Sequence, residues 1–156
     1  MAPSLTGSSS ATVLMIDDSP EDLDSWSKLL AASSSQYSIL KAQTVRAGLD
    51  LCHSQKIDCV VLDLDMNDSS GFEVVINLIP DRKRPEIAVV ILTHLKNPII
   101  HEAALYAGVQ ACLLKGSTSA RDLDEAIQKA IASVASNAKQ IPCITNTPVP
   151  PSKLDS

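Results

Sequence analysis

The sequence predicts an α/β fold in which five parallel strands form one doubly wound sheet, with five helices distributed over its two faces. Three observations predict it. Short apolar runs alternate with amphipathic stretches from about residue 12 to residue 135, the pattern of successive βα units. The run Cys59-Val60-Val61-Leu62 is apolar throughout, as a central strand covered on both faces must be. Four of the five runs stop at polar residues, at Asp17-Asp18, Asp63, Thr93 and Lys115, so that one edge of the sheet would carry nearly all the chemistry.

The elements follow in order. Val13-Leu14-Met15-Ile16 is the first strand, and Ser19-Pro20-Glu21-Asp22 opens a helix, because Ser19 can cap it and Pro20 suits its first position. That helix should place Leu23, Trp26, Leu29 and Leu30 on one face and end in Ser33-Ser34-Ser35. Tyr37 to Ala42 reads as the second strand, and Thr44 caps a helix reaching about His53. After the third strand, Ser70-Gly71-Phe72-Glu73 matches a capping box, and the helix behind it should bury Phe72, Val75, Ile76 and Ile79 before Pro80 stops it. Ile87 to Leu92 is the fourth strand; Asn97-Pro98 starts the fourth helix, and Gly108 stands where a C-cap glycine belongs. Ala111 to Leu114 is the fifth strand, and Ser119 starts a last helix with Leu123, Ile127, Ile131 and Val134 at helical spacing.

With 156 residues the chain can bury one core, so residues 12–135 are expected to form one domain between two flexible tails, 1–11 and 136–156. The first tail is rich in Ser, Thr, Gly and Pro, and the second holds prolines at 142, 148, 150 and 151. Aromatic residues make up 3% of the chain, so the core is aliphatic. A net charge of -5 and the lack of a basic run able to neutralise several phosphates argue against direct nucleic-acid binding. No segment has the form of a signal peptide or of a membrane span. Cys52, Cys59, Cys112 and Cys143 show no CxxC spacing and are read as reduced thiols, so a cytoplasmic protein is expected. His53, His94 and His101 show no paired metal spacing; His53 and His101 are expected at the surface, and Tyr106 at the edge of the core, with a place on a partner face as the other reading.

Ligands of open parallel sheets bind at the carboxyl ends of the strands, which gathers Asp17, Asp18, Asp63, Thr93 and Lys115 into one site. An oxygen-rich cluster of this kind suits Mg²⁺, which prefers carboxylates, water and phosphate oxygens. Asp63 is then the natural nucleophile for a phosphoryl group, with a metal, the Lys115 ammonium and the Thr93 hydroxyl each able to meet one equatorial oxygen.

In order along the chain, Leu14-Met15-Ile16-Asp17-Asp18-Ser19, Val60-Val61-Leu62-Asp63-Leu64-Asp65-Met66, Leu92-Thr93 and Leu113-Leu114-Lys115 resemble the signature of response-regulator receiver domains over about residues 12–135. The resemblance implies a flavodoxin-like sheet in the order 2-1-3-4-5, with two helices on one face and three on the other. It implies that Asp63 is the phosphoacceptor, that Asp17, Asp18, Asp63 and the carbonyl of Asp65 hold Mg²⁺, and that Thr93 and Lys115 contact the phosphoryl group. It further implies a signalling domain rather than an enzyme. The expected donor is a histidine kinase or a histidine phosphotransfer protein, the downstream protein target is unknown, and the chain would be a monomer or weak homodimer.

Several positions depart from that pattern. Cys112 stands where an aromatic switch residue is usual, His94 replaces the small residue after the threonine, Asn67 replaces a common proline, and Gly116 replaces the proline that often follows the lysine. His94 is expected to obstruct an attacking water, and Cys112 to fill part of the space of the missing ring. Two other readings stand beside this one: a receiver that has lost phosphorylation and serves as an interaction module, and a haloacid-dehalogenase type phosphatase using Asp63-Leu64-Asp65. The second needs its DxD on the first strand and a longer chain.

Overall fold

The computed structural model describes residues 10–33, 37–66 and 71–145, with side chains as far as residue 136. Five strands, β1 (Ala11–Ile16), β2 (Tyr37–Ala42), β3 (Cys59–Leu62), β4 (Ala88–Thr93) and β5 (Ala111–Leu114), alternate with five helices. The helices are α1 (Pro20–Ala31), α2 (Val45–Ser54), α3 (Gly71–Leu78), α4 (Pro98–Tyr106) and α5 (Ala120–Thr145). All pairings are parallel and the sheet order is β2-β1-β3-β4-β5.

Strand alternation sorts the core into two layers. Leu14, Ile16, Val60, Leu62, Val89 and Ile91 pack toward α2, α3 and α4, where they meet Val45, Val74, Val75 and Ala104. Val13, Met15, Cys59, Val61, Val90 and Leu92 pack toward α1 and α5, against Leu23, Trp26, Leu30, Leu123 and Ile127. Every residue of β3 and β4 is buried, which is why these strands read as unbroken apolar runs.

The helix starts are local chemistry. The side chains of Ser19, Thr44, Asn97 and Ser119 accept from the N–H groups of Asp22, Ala47, Ile99 and Asp122, each satisfying a donor that the helix itself leaves over. Gly108 ends α4 with a φ of 113°, a conformation that favours glycine. Among the described residues no helix is long and apolar enough to cross a membrane.

Some expectations are corrected. In α3 the buried positions are Gly71, Val74 and Val75, and Ile76 lies 67% exposed. The reason is Gly71: a Cβ there would come within 2.6 Å of the Asp63 carbonyl oxygen, so the bare backbone faces inward and sets the helix register. A hydrophobic count cannot see a glycine as a core position. Leu29 is likewise exposed, and Tyr106, expected at the core edge, is 69% exposed with the Arg82 guanidinium 4.2 Å above its ring. His101 is half-buried rather than on the surface, and its Nε2 bonds the Leu95 carbonyl. The last helix continues to Thr145, so residues 136–145 of the expected tail are helical. The alanines at 130, 132, 135 and 138 favour helix, and the other tail prolines fall beyond Thr145. Residues 1–9, 34–36, 67–70 and 146–156, which include Asn67, Ser70 and most of the expected tails, lie outside the described residues, as does the side chain of Cys143.

The register of α3 is directly testable. Val75→Ala should cost roughly 2 kcal/mol in urea unfolding, because it empties a buried site. Ile76→Ala should stay within about 0.5 kcal/mol of the parent. Equal losses would mean that the helix is rotated.

Candidate functional site

The sheet ladder itself delivers the acidic residues to one edge. Beyond the last strand residues, the Asp17 N–H donates to the Ala42 carbonyl at 3.1 Å and the Asp63 N–H to the Ile16 carbonyl at 3.0 Å. Asp17 and Asp63 thus emerge from adjacent strands at nearly the same level. Thr93 closes β4 opposite Leu114 of β5, and Lys115 follows in a 3-10 turn, Lys115–Ser117.

The centre of the site is the Lys115 ammonium. Its Nζ donates to Asp17 Oδ2 at 2.5 Å, to Asp22 Oδ2 at 2.7 Å and to Asp63 Oδ2 at 3.1 Å. An ammonium has three protons, and here three carboxylates take them. The other oxygens are held by the chain: Asp17 Oδ1 accepts from the Ser19 N–H and Asp63 Oδ1 from the Asp65 N–H. Both side chains are therefore oriented before any ligand arrives.

Burial of Asp17 pushes its carboxyl above the usual aspartate range, although the Lys115 hydrogen bond pulls the other way. The carboxyl of Asp22 lies below that range, chiefly because of its hydrogen bond to Lys115. For Lys115 itself, burial opposes the charge, but its hydrogen bonds to Asp17 and Asp22 and the charges of Asp63 and Asp17 prevail. Its proton is held more tightly than an ordinary lysine's.

The remaining predicted residues are placed less uniformly. Thr93 is fully buried, and its Oγ1 accepts from the Leu95 N–H at 3.2 Å. Asp18 is half-buried in the loop after β1, and Asp65 is exposed in the loop after β3. His94 is exposed, with Nε2 3.5 Å from Asp22 Oδ2. Cys112 sits apart on β5, half-buried, its thiol pushed up to about 11 by burial and directed at the His101 carbonyl at 3.7 Å. Sequence reasoning missed Asp22 and Gly71. An acidic residue in a first helical turn reads as a partner for the helix dipole, and only the fold brings Asp22 to a lysine 93 positions away.

Among the described residues, no three His, Cys, Asp or Glu side chains already surround an open cation position; the carboxylates converge on Lys115 instead. The donor set nonetheless fits a hard cation. It is made of oxygen alone, and three carboxylates share a single ammonium.

Residues 13–128 match the family model described as a response regulator receiver domain. The chain belongs to this family. The receiver is 30% identical over 117 residues to the response regulator protein VraR of Staphylococcus aureus, an alignment covering 75% of this chain and 54% of that protein. It is 33% identical over 90 residues to a probable cyclic di-GMP phosphodiesterase of Vibrio cholerae, covering 58% of this chain and 20% of the relative. The chain thus spans about half of one relative and a fifth of the other. Among solved structures, a response-regulator receiver domain from Clostridium thermocellum superposes with a TM-score of 0.69 at 29% identity, covering 79% of this chain and 95% of that one. The chemotaxis response regulator CheY4 of Vibrio cholerae, at 22% identity and a TM-score of 0.67, shares the fold over 78% of this chain and 99% of its own.

Lys115→Ala would leave Asp17 and Asp63 facing each other unpaired. A buried ion pair broken on one side costs about 3 kcal/mol, and that cost requires the carboxylates to be ionised. Without the lysine, the already raised proton affinity of Asp17 rises further. A carboxyl whose folded pKa exceeds its unfolded value stabilises below the unfolded pKa and loses that contribution as pH rises through the folded one. In magnesium-free buffer, Lys115→Ala should therefore lose more stability relative to the parent at pH 8 than at pH 5. Urea unfolding at both values checks it, and a larger loss at pH 5 would refute it.

Proposed function

We propose that this receiver accepts a phosphoryl group on Asp63 from a phosphohistidine of a histidine kinase or histidine phosphotransfer protein in the cytoplasm and signals through protein contacts. The observation that carries the reading is the convergence of Asp63 and Asp17 on Lys115, with Thr93 buried at the neighbouring strand end. Free thiols at Cys52, Cys59 and Cys112 suit a reducing compartment.

In the transfer, an Asp63 carboxylate oxygen forms the new P–O bond while the P–N bond to the donor imidazole breaks and the imidazole keeps that electron pair. Asp63 is pre-aimed because its Oδ1 is tethered by the Asp65 N–H, a fixed geometry that removes orientational freedom from the reaction. The Lys115 ammonium and the Thr93 hydroxyl would meet the phosphoryl oxygens. Asp17, Asp18, Asp63 and the main-chain carbonyl of Asp65 are the residues that would hold Mg²⁺. When bound, that ion neutralises charge on the phosphoryl oxygens. His94, exposed beside Asp22, would limit approach of a hydrolytic water.

A chain of contacts supports an output route without an aromatic switch. The Leu95 N–H donates to Thr93 Oγ1, the Leu95 carbonyl accepts from His101 Nε2 at 2.7 Å, and the His101 carbonyl faces the Cys112 thiol. A shift of Thr93 toward a phosphoryl group would pull on Leu95 and so on α4.

Acetyl phosphate with Mg²⁺ should add one hydroxylamine-labile phosphoryl group, detected by mass spectrometry and abolished in Asp63→Asn. Labelling that survives the substitution would reject Asp63 as the acceptor, and no labelling of the parent would favour the interaction-module reading. In thermal melts, Mg²⁺ at ten times its dissociation constant should add about 1.4 kcal/mol. That amounts to a rise of roughly a few degrees, reduced in Asp18→Asn. Coincident melts with and without Mg²⁺ would remove the metal site.

A further inference from the structure

The Lys115 ammonium has no proton left over: Asp17, Asp22 and Asp63 accept one each. For Lys115 to contact a phosphoryl oxygen, one carboxylate must let go. The Asp63 contact lies at the acceptor itself, where the phosphoryl group would arrive, so Lys115 can keep that direction. Of the two carboxylates that would still hold it, Asp17 is the poorer candidate, since its side chain is only 9% exposed and its second oxygen is tied to the backbone. Asp22 differs in exposure and in position. Its side chain is 31% exposed, and it projects from the first turn of α1 rather than from a strand end. Its oxygen also has an alternative partner, His94 Nε2, at 3.5 Å.

We infer that Asp22 is a positioning residue that holds the Lys115 ammonium in the unphosphorylated receiver and competes for it with a phosphoryl group on Asp63. The inference rests on the phosphoacceptor reading and adds a residue which that reading does not use. Two effects act in one direction. Asp22 must surrender a charge-assisted hydrogen bond before Lys115 can bind the phosphoryl group. Its carboxylate then remains near an anion, where like charges repel. Asp22 therefore biases the site toward the unphosphorylated state. The hydrogen bond from Lys115 that holds the Asp22 carboxyl below the usual range is the same contact seen from the other side.

The test is a titration of the full chain with beryllofluoride, a phosphoryl mimic, at saturating Mg²⁺. It is followed through Trp26, the chain's single tryptophan, which lies four residues after Asp22 on α1. Asp22→Asn should bind about three- to tenfold tighter than the parent, the scale of one partly solvated charge contact. Asp22→Ala should shift the same way. Glu21→Gln removes a charge from the same helical turn without touching Lys115 and should leave the affinity unchanged. A merely structural Asp22 would lower the melting temperature with affinity unchanged or weaker, and that result overturns the inference. Tightening by Glu21→Gln equal to that of Asp22→Asn overturns it as well, since the effect would then be general charge. If the parent binds no beryllofluoride, the phosphoacceptor reading fails first and this inference falls with it.

Discussion

A single ammonium group makes this sheet edge tenable. Asp17 and Asp63 leave adjacent strands at the same level, and the ladder gives their backbones no freedom to part. Two carboxylates so placed repel, and burial makes each worse off by removing water. Lys115 arrives from the far strand β5, reaching across the end of β4 to sit between them. Everything on the edge is arranged around that reach: the 3-10 turn that begins at the lysine, the backbone tethers on Asp17 and Asp63, and the first turn of α1 that brings Asp22. The ion cluster does not drive folding, which the two aliphatic layers accomplish. It is the condition under which a folded sheet can end in acid.

Much of this was legible in the sequence, because the determinants are local. Runs such as Cys59–Leu62 need no long-range information to be read as strands, and Ser19, Thr44 and Asn97 cap helices through bonds spanning two or three residues. The strand-end residues Asp17, Asp63, Thr93 and Lys115 were visible because a polar residue that stops an apolar run in a parallel sheet has only one place to go. What escaped depends on approach between distant parts. Asp22 gains its role only when α1 lies beside the turn after β5. Gly71 is defined by what it lacks, and its packing against Asp63 rotates α3 enough to expose Ile76 and cover Val74. Tyr106 was expected at the core edge, yet a ring on α4 can be satisfied by a cation stacked from the loop between α3 and β4.

Two of the departures from the receiver pattern, His94 and Cys112, are spatially related. His94 and Cys112 are 18 positions apart in sequence, yet each touches a contact network that begins at the site. His94 meets Asp22, and Cys112 connects through His101 and Leu95 to Thr93. The usual switch depends on the volume of a ring. Around Cys112 the contacts are instead directional, from a half-buried thiol and from a histidine anchored to a main-chain carbonyl.

The contact at Gly71 has a mechanical meaning of its own. With so little room between α3 and the Asp63 carbonyl, the two behave like a bearing with no play. Any displacement of the Asp63 main chain toward the helix must carry α3 along, because there is no side chain between them to absorb it by changing rotamer. The approach of the Asp63 main chain to the start of α3 is thus stiff, whereas the contacts on the lysine side run between side chains, which can exchange partners. Motion at this edge should be strongly anisotropic, yielding on the lysine side and transmitted whole on the glycine side.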